Sequence, residues 1–310
     1  MTDFWQDLLE QQASLFNSFD LQSNNYFTPL EEMGVLQVAG DDAESFLQNL
    51  LTNDVAALAV NQAQLSGFCN AKGRLFALFL LVRLSDGFQI LLPKTMCELL
   101  QQRLTMYVLR SKVTVRNESE NLCCVGIISP THTSEISIQS IVHPNDSNRF
   151  ISVFAQNKVG DLINEFTQQG LQLAPQNSWE QLDINAGLAM VWPESKEKFT
   201  PQQVNLDLVN GLSFSKGCYP GQEVVARLHY LGKPSRRLFI AKAKTNLLPN
   251  IADDVITDNG SVAGHVVSAL LIEGSVNLLL SLKLTSSASP LLLKDGSSIL
   301  LRPSAEIVGD

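Results

Sequence analysis

Apolar positions recur along this chain with two different periods, and the switch between them marks its elements. Over residues 1–20, Phe4, Trp5, Leu8, Leu9, Leu15, Phe16 and Phe19 fall at mixed helical spacing and predict a short amphipathic helix. Val35 to Val38 reads as a strand. Gly40-Asp41-Asp42 then opens a helix, with Asp41 as N-cap and Phe46, Leu47, Leu50 and Leu51 as its buried face. From Ala63 the period changes. Leu65 to Cys69 is a strand, Asn70-Ala71-Lys72-Gly73 a turn, and Arg74 to Leu84 a long apolar strand. Ser85-Asp86-Gly87 turns the chain into Phe88 to Leu92. Pro93 then stops that strand and opens a helix over 94–108 with Met96, Leu99, Leu100, Leu104 and Tyr107 inward.

Further on, Lys112 to Arg116, Leu122 to Ser129 and Phe150 to Phe154 are strands. The polar, turn-rich stretch 130–150 reads as loop, with His132 and His143 exposed in it. Lys158 to Gln169 is an amphipathic helix whose inner face is Val159, Leu162, Ile163 and Phe166, closed by Gly170 at C′. Ser178 is placed to N-cap the next helix, with Gln181 completing a capping box. After Gly232-Lys233-Pro234-Ser235 the composition shifts. Short apolar strands at Leu238–Lys242, Gly260–Ala269, Ser275–Leu282 and Ser298–Leu301 are punctuated by Gly, Asp, Asn and Ser, with no long helix among them. The pattern predicts an α+β protein of antiparallel sheets with helices over residues 1–232, followed by a small β-barrel over 233–310.

Composition narrows the function classes. The chain has 310 residues, 45% of them hydrophobic and 17% charged, enough for more than one compact core. A net charge of −9 argues against a dedicated nucleic-acid binder. Charge is nevertheless uneven. Of 22 basic residues, seven lie between Lys216 and Lys244 (Lys216, Arg227, Lys233, Arg236, Arg237, Lys242, Lys244), opposed only by Glu223. That run is either a solvated face or a local anion site for a carboxylated ligand or a phosphate backbone. The five cysteines form no metal-ligand spacing and no disulfide framework. Asp3, Asp7 and Glu10 stand where a signal peptide has cations, and the apolar run Leu75 to Val82 is too short to span a bilayer, so a cytoplasmic, reduced protein is expected.

The densest chemistry lies in Lys216-Gly217-Cys218-Tyr219-Pro220-Gly221-Gln222-Glu223, followed by Val224-Val225-Ala226-Arg227. Pro220-Gly221 fits the centre of a type II turn, which presents Cys218 at a bend. Gly217 leaves room for an approach to the sulfur, and Lys216 is close enough in sequence to favour a thiolate. The plain alternative is a small buried hydrophobe beside an ordinary turn. Cys123 and Cys124, inside an apolar strand, read as core. Glu223 and Arg227 are spaced for an i,i+4 helix bridge.

KGCYPGQE resembles the signature octad of the YgfZ family, folate-binding proteins related to the T-protein (aminomethyltransferase) of the glycine cleavage system. The resemblance extends to FLQNLLTNDV from Phe46 to Val55, to Cys69-Asn70-Ala71-Lys72-Gly73, where the family has an acid at position 70, to Trp179–Gly187 and to Phe199–Leu206. It implies a T-protein-like folate-binding fold and a tetrahydrofolate cofactor. Trp179 is the implied folate-binding aromatic, able to stack on a pterin. Met33 stands where the family has a second tryptophan, and Asn205 either binds ligand or caps a turn. Glu223 matches the acid that grips the pterin's donors in T-protein. The T-protein strand that carries a catalytic aspartate corresponds here to Leu75-Phe76-Ala77-Leu78-Phe79, which has no carboxylate for acid–base work. The resemblance therefore implies an accessory protein that supports iron–sulfur enzymes, notably those that methylthiolate tRNA, with Cys218 as functional thiol. The alternatives are a folate-dependent one-carbon transferase and an RNA or protein interaction module built on the 216–244 basic run.

Overall fold

A computed structural model describes residues 24–130 and 140–302. The expected N-terminal helix and His132 lie outside the described residues. The chain divides into two compact units. One gathers the described residues up to Ala43, Leu58–Gln64 and Leu80–Trp179; the other gathers Glu44–Ala57, Leu65–Phe79 and the described residues from Glu180 onward.

The first unit contains a mixed sheet of β10-β1-β7-β9-β8, from β1 (Tyr26–Pro29), β7 (Leu122–Ile128), β8 (Ser140–His143), β9 (Asp146–Ala155) and β10 (Gln172–Leu173). Its pairings are antiparallel except β1 with β10. Phe27, Val125, Ile127 and Phe150 form one core with Val159, Leu162, Ile163 and Phe166 of α3 (Val159–Gln168), the inner face expected from its period. Gly170, at φ 81°, closes the last turn after α3. A second sheet has the order β3-β4-β5-β2-β6, built from β2 (Met33–Ala39), β3 (Ala63–Cys69), β4 (Leu75–Leu84), β5 (Gly87–Pro93) and β6 (Thr114–Asn117). Helix α2 (Lys94–Val108) starts directly after Pro93, whose ring fixes φ at −52°.

Three local expectations need correction. Helix α1 (Ala43–Gln48) is not capped by Asp41, which is exposed and pairs with Lys112 at 3.2 Å, while the Asp42 carboxylate accepts the Lys112 N–H at 2.7 Å. Helix α4 (Asn177–Ala186) begins before Ser178, so that residue lies inside the first turn and its N–H donates to the Pro175 carbonyl at 3.0 Å. His143 is not an exposed loop residue: the stretch read as loop contains β8, paired with β9, and buries it.

In the second unit, β11 (Arg236–Ala243), β12 (Asp254–Thr257), β13 (Val262–Ile272), β14 (Ser275–Lys283), β15 (Leu291–Leu292) and β16 (Ser298–Leu301) close into a barrel in the order β11-β14-β13-β12-β15-β16. Alternate residues such as Val255, Val266, Leu278, Leu280 and Leu282 fill its interior. The C-terminal barrel expected from the strand spacing is therefore present. Among the described residues no helix is long and apolar enough to cross a membrane.

Candidate functional site

The octad is a loop that leads into helix α5 (Gln222–Tyr230). Gly221 has φ 80° and ψ 1°, and the Gln222 N–H donates to the Tyr219 carbonyl at 3.1 Å, which is the type II turn that Pro220-Gly221 predicts. Glycine is required there for a second reason. A Cβ on Gly221 would lie 2.4 Å from the Asn70 carbonyl oxygen and 2.7 Å from Gly73 Cα. Gly73, itself at φ 68°, would with a Cβ come within 3.2 Å of the Gly221 carbonyl. The two motif turns, Asn70–Gly73 and Tyr219–Gln222, are packed backbone on backbone at their glycines.

Asn70 holds its own turn. Its side-chain oxygen accepts the N–H groups of Lys72 and Arg74 at 2.9 and 3.1 Å. That acceptor is the function a carboxylate would also supply, so the amide preserves the turn while removing the charge. Beyond it, Leu75–Phe79 are all buried and carry no ionisable group.

Lys216 is 8% exposed, and its ammonium donates to the carbonyls of Gln48, Leu51 and Asn53 at 2.5, 2.6 and 3.0 Å. Those carbonyls lie at and just beyond the C-terminus of α1, where helical carbonyls lack intrahelical partners and a cation is favourable. All three ammonium protons are taken up, so any influence of Lys216 on Cys218 acts through space. Burial brings the Lys216 amine down to about 8, with Asp54 acting in the opposite direction. The segment Lys216 holds is itself tightly bonded. Thr52 Oγ donates to the Gly211 carbonyl at 2.9 Å and accepts the Gly67 N–H at 2.7 Å, and the Asn53 amide donates to the Leu65 and Asn210 carbonyls at 2.9 and 2.7 Å. FLQNLLTNDV, the Asn70 turn and the octad, three separate motifs in sequence, thus form one assembly.

Within this assembly Cys218 is exposed, and a Cβ on neighbouring Gly217 would meet nothing within 4 Å. The other four cysteines, all among the described residues, are buried or half-buried. Burial pushes the Cys69 thiol up to about 12, and burial together with Cys69 raises the Tyr219 hydroxyl. On α5, Glu223 and Arg227 are exposed and form no ion pair with each other among the described residues, so the i,i+4 bridge is absent. They line an open depression of about 490 Å³ with Val224, Leu228, Leu231 and Gly232. The Gln202 amide fixes the helix by donating to the Val225 carbonyl at 2.8 Å.

Asn205 is 9% exposed, with φ 56° at the end of a 3-10 turn. Its amide donates to the Leu238 carbonyl at 3.0 Å and its oxygen accepts the Leu238 N–H at 3.1 Å, so it caps the turn and docks β11. The basic run is not one solvated face: Lys216 is internal, and Arg237 is paired with Asp207 at 2.7 Å.

Trp179 belongs to the first unit and is 4% exposed. The Arg149 guanidinium carbon lies 3.9 Å from its ring centroid, and His143 meets it edge-on at 5.9 Å. A Cβ on Gly126 would fall 2.3 Å from the indole. Burial and the Arg149 charge bring His143 down to about 3, so it is neutral at physiological pH. Met33 is half-buried at the start of β2, across from Pro93. Arg149 was not legible as an internal residue, since nothing in the sequence marks which base lies inside; neither were Thr52 and Asn53, which lie inside a quoted motif but carry no recognisable chemistry.

Residues 27–162 match the family model described as the GCVT N-terminal domain. The chain is 28% identical over 257 residues to the tRNA-modifying protein YgfZ of Photobacterium profundum, covering 78% of each. It is 30% identical over 258 residues to an uncharacterized protein of Haemophilus influenzae, covering 80% of this chain and 85% of that one. The crystal structure of the glycine cleavage system aminomethyltransferase T from Bartonella henselae superposes with a TM-score of 0.73 at 15% identity, over 93% of this chain and 87% of that one.

Proposed function

Since the chain belongs to the YgfZ family and has the fold of the glycine cleavage T-protein, we propose that it is a tetrahydrofolate-binding accessory protein of tRNA modification, supporting the iron–sulfur enzymes that methylthiolate tRNA. The observation that carries this reading is the exposure of Cys218 on a loop whose backbone is braced by two interlocked glycine turns and an internal lysine. A thiol so placed is open to a partner while its mounting is rigid, which suits an accessory sulfur better than a packing residue. In this reading Cys218 handles sulfur and Lys216 sets its position.

The groups on α5 fit a folate. Glu223 accepts from the donors of a pterin, Val224, Leu228 and Leu231 give an apolar wall, and Arg227 suits a carboxylate of the glutamate tail. Trp179 and Met33 lie in the first unit, where the Arg149 guanidinium occupies the indole face, and they are proposed as folate contacts on the family resemblance alone. Asn205 contributes by holding the 3-10 turn. The buried, carboxylate-free Leu75–Phe79 favours an accessory role over a one-carbon transferase.

The test is a tetrahydrofolate titration of the purified chain followed by intrinsic fluorescence. Glu223→Gln weakens binding by about tenfold, the worth of a hydrogen bond to a charged group. Trp179→Phe reduces the ligand-induced change relative to the native chain, over the background of Trp5 and Trp192. No saturable change in the native chain would remove folate from the account.

A further inference from the structure

Helix α5 ends in an aromatic cluster to which the thiol and folate reading gives no role. Phe214 and His229 are stacked, with ring centroids 3.8 Å apart and planes 11° from parallel. Tyr230 stands edge-on to both, at 6.0 Å and 70° from Phe214 and at 4.8 Å and 76° from His229. The cluster does not bury itself: His229 is exposed, Tyr230 is 65% exposed and Leu231 after it is 82% exposed. Tyr230, standing across the Phe214–His229 stack and open to water, forms with it a corner that a flat group can enter.

The exposed charges flanking this corner along the chain are mostly basic. Arg227 on α5 and Lys233 just past its end are both exposed. Lys72 is exposed on the turn whose Gly73 packs against Val224 of α5. Glu223, a full turn before Arg227, is the only acid between Lys216 and Lys244, in a chain whose net charge is −9. A local positive field on an acidic protein, joined to exposed rings, is the combination that tracks a polyanion and stacks its bases. An apolar protein partner would need neither the cations nor the perpendicular rings. A duplex keeps its base faces covered, so the fit is to an unpaired strand.

We propose that the Phe214–His229–Tyr230 cluster and its flanking cations form a platform for a single-stranded RNA segment, with His229 and Tyr230 stacking against bases and Lys72, Arg227 and Lys233 meeting phosphates. RNA is chosen over DNA because the relatives are named tRNA-modifying proteins, and the choice therefore rests on the family membership. The rings, Lys72 and Lys233 stand apart from Cys218 and from the folate contacts, and only Arg227 is shared with them.

The experiment is fluorescence anisotropy of a labelled single-stranded RNA dodecamer with the full chain across a salt series, beside the same RNA as a duplex and the matching single-stranded DNA. The expected result is preference for single-stranded RNA and a log–log decline of affinity with salt. Tyr230→Ala weakens binding by about tenfold, Tyr230→Phe restores most of it, and Lys233→Ala lowers the salt slope by about one. No binding at low salt, equal binding of the duplex, preference for the DNA strand, or an undiminished affinity in Tyr230→Ala would each overturn the proposal. Tyr230→Ala should titrate with tetrahydrofolate as the native chain does, so failure of the platform is distinguishable from failure of the folate reading.

Discussion

The surroundings of Trp179 and of Cys218 are opposites, although each residue stands in a stretch that its sequence marks out. In the first unit the indole is closed in by the Gly126 backbone, the Arg149 guanidinium and the edge of His143. In the second unit the sulfur is open, and it is the backbone beneath it that is closed in. Each region also holds an internal cation, satisfied in a different way. Arg149 lies on an aromatic face, whereas Lys216 donates to three carbonyls. A motif therefore names the chemistry available at a position, while packing decides whether that chemistry is offered to solvent or used to hold the fold.

The largest expected effects on the stability of the fold at neutral pH fall on Lys216 and Gly221. Lys216→Met leaves three carbonyls without their donor and should lower unfolding stability by about 3 kcal/mol, read by urea denaturation. An unchanged midpoint would mean that the lysine is merely tolerated inside. Gly221→Ala adds a clash with the Asn70 turn to an unfavourable positive φ and should cost about 3 kcal/mol in the same assay. Gly126→Ala presses on the indole and should cost about 2 kcal/mol, with a change in tryptophan emission that Gly221→Ala does not produce.

An effect of another kind, gradual in pH, separates the regions as well. His143 is held at about 3 in the fold against 6.5 in an open chain. Between those values the unfolded chain takes up a proton that the folded one refuses. Stability therefore falls as pH drops through this window and is unaffected by the group above it. The slope is at most about 1.4 kcal/mol per pH unit, and His143→Gln should flatten it. An equal acid slope in that variant would place the titrating group elsewhere. The smallest perturbation is chemical labelling of the native protein: one thiol should react fast with a disulfide reagent, and that fast phase should vanish in Cys218→Ala.

Much of the architecture was legible because its signals are local. Pro93 and a clean period place α2, the 159–166 apolar spacing places the inner face of α3, and Pro220-Gly221 states its own turn. The barrel strands announced themselves by length and punctuation, and the barrel they predict closes where β16 pairs with β11. What stayed hidden are pairings between distant segments. Lys216 reads as a neighbour of Cys218 in sequence, yet its acceptors lie at 48, 51 and 53. His143 sits in a polar, turn-rich stretch, where composition points outward and only the pairing of β8 with β9 turns it in. Asn205 left two readings open, and its partner Leu238 belongs to a strand that spacing alone does not bring to it.

The claim on which the functional account turns is that the exposed sulfur acts and the braced loop only carries it. Methylthiolated tRNA measured by mass spectrometry, in cells whose sole copy of this protein is Cys218→Ala, tests that claim most directly. The account predicts that the modification falls to the level of cells lacking the protein, while the purified variant unfolds at the native midpoint. Native levels of methylthiolation in that variant would contradict it.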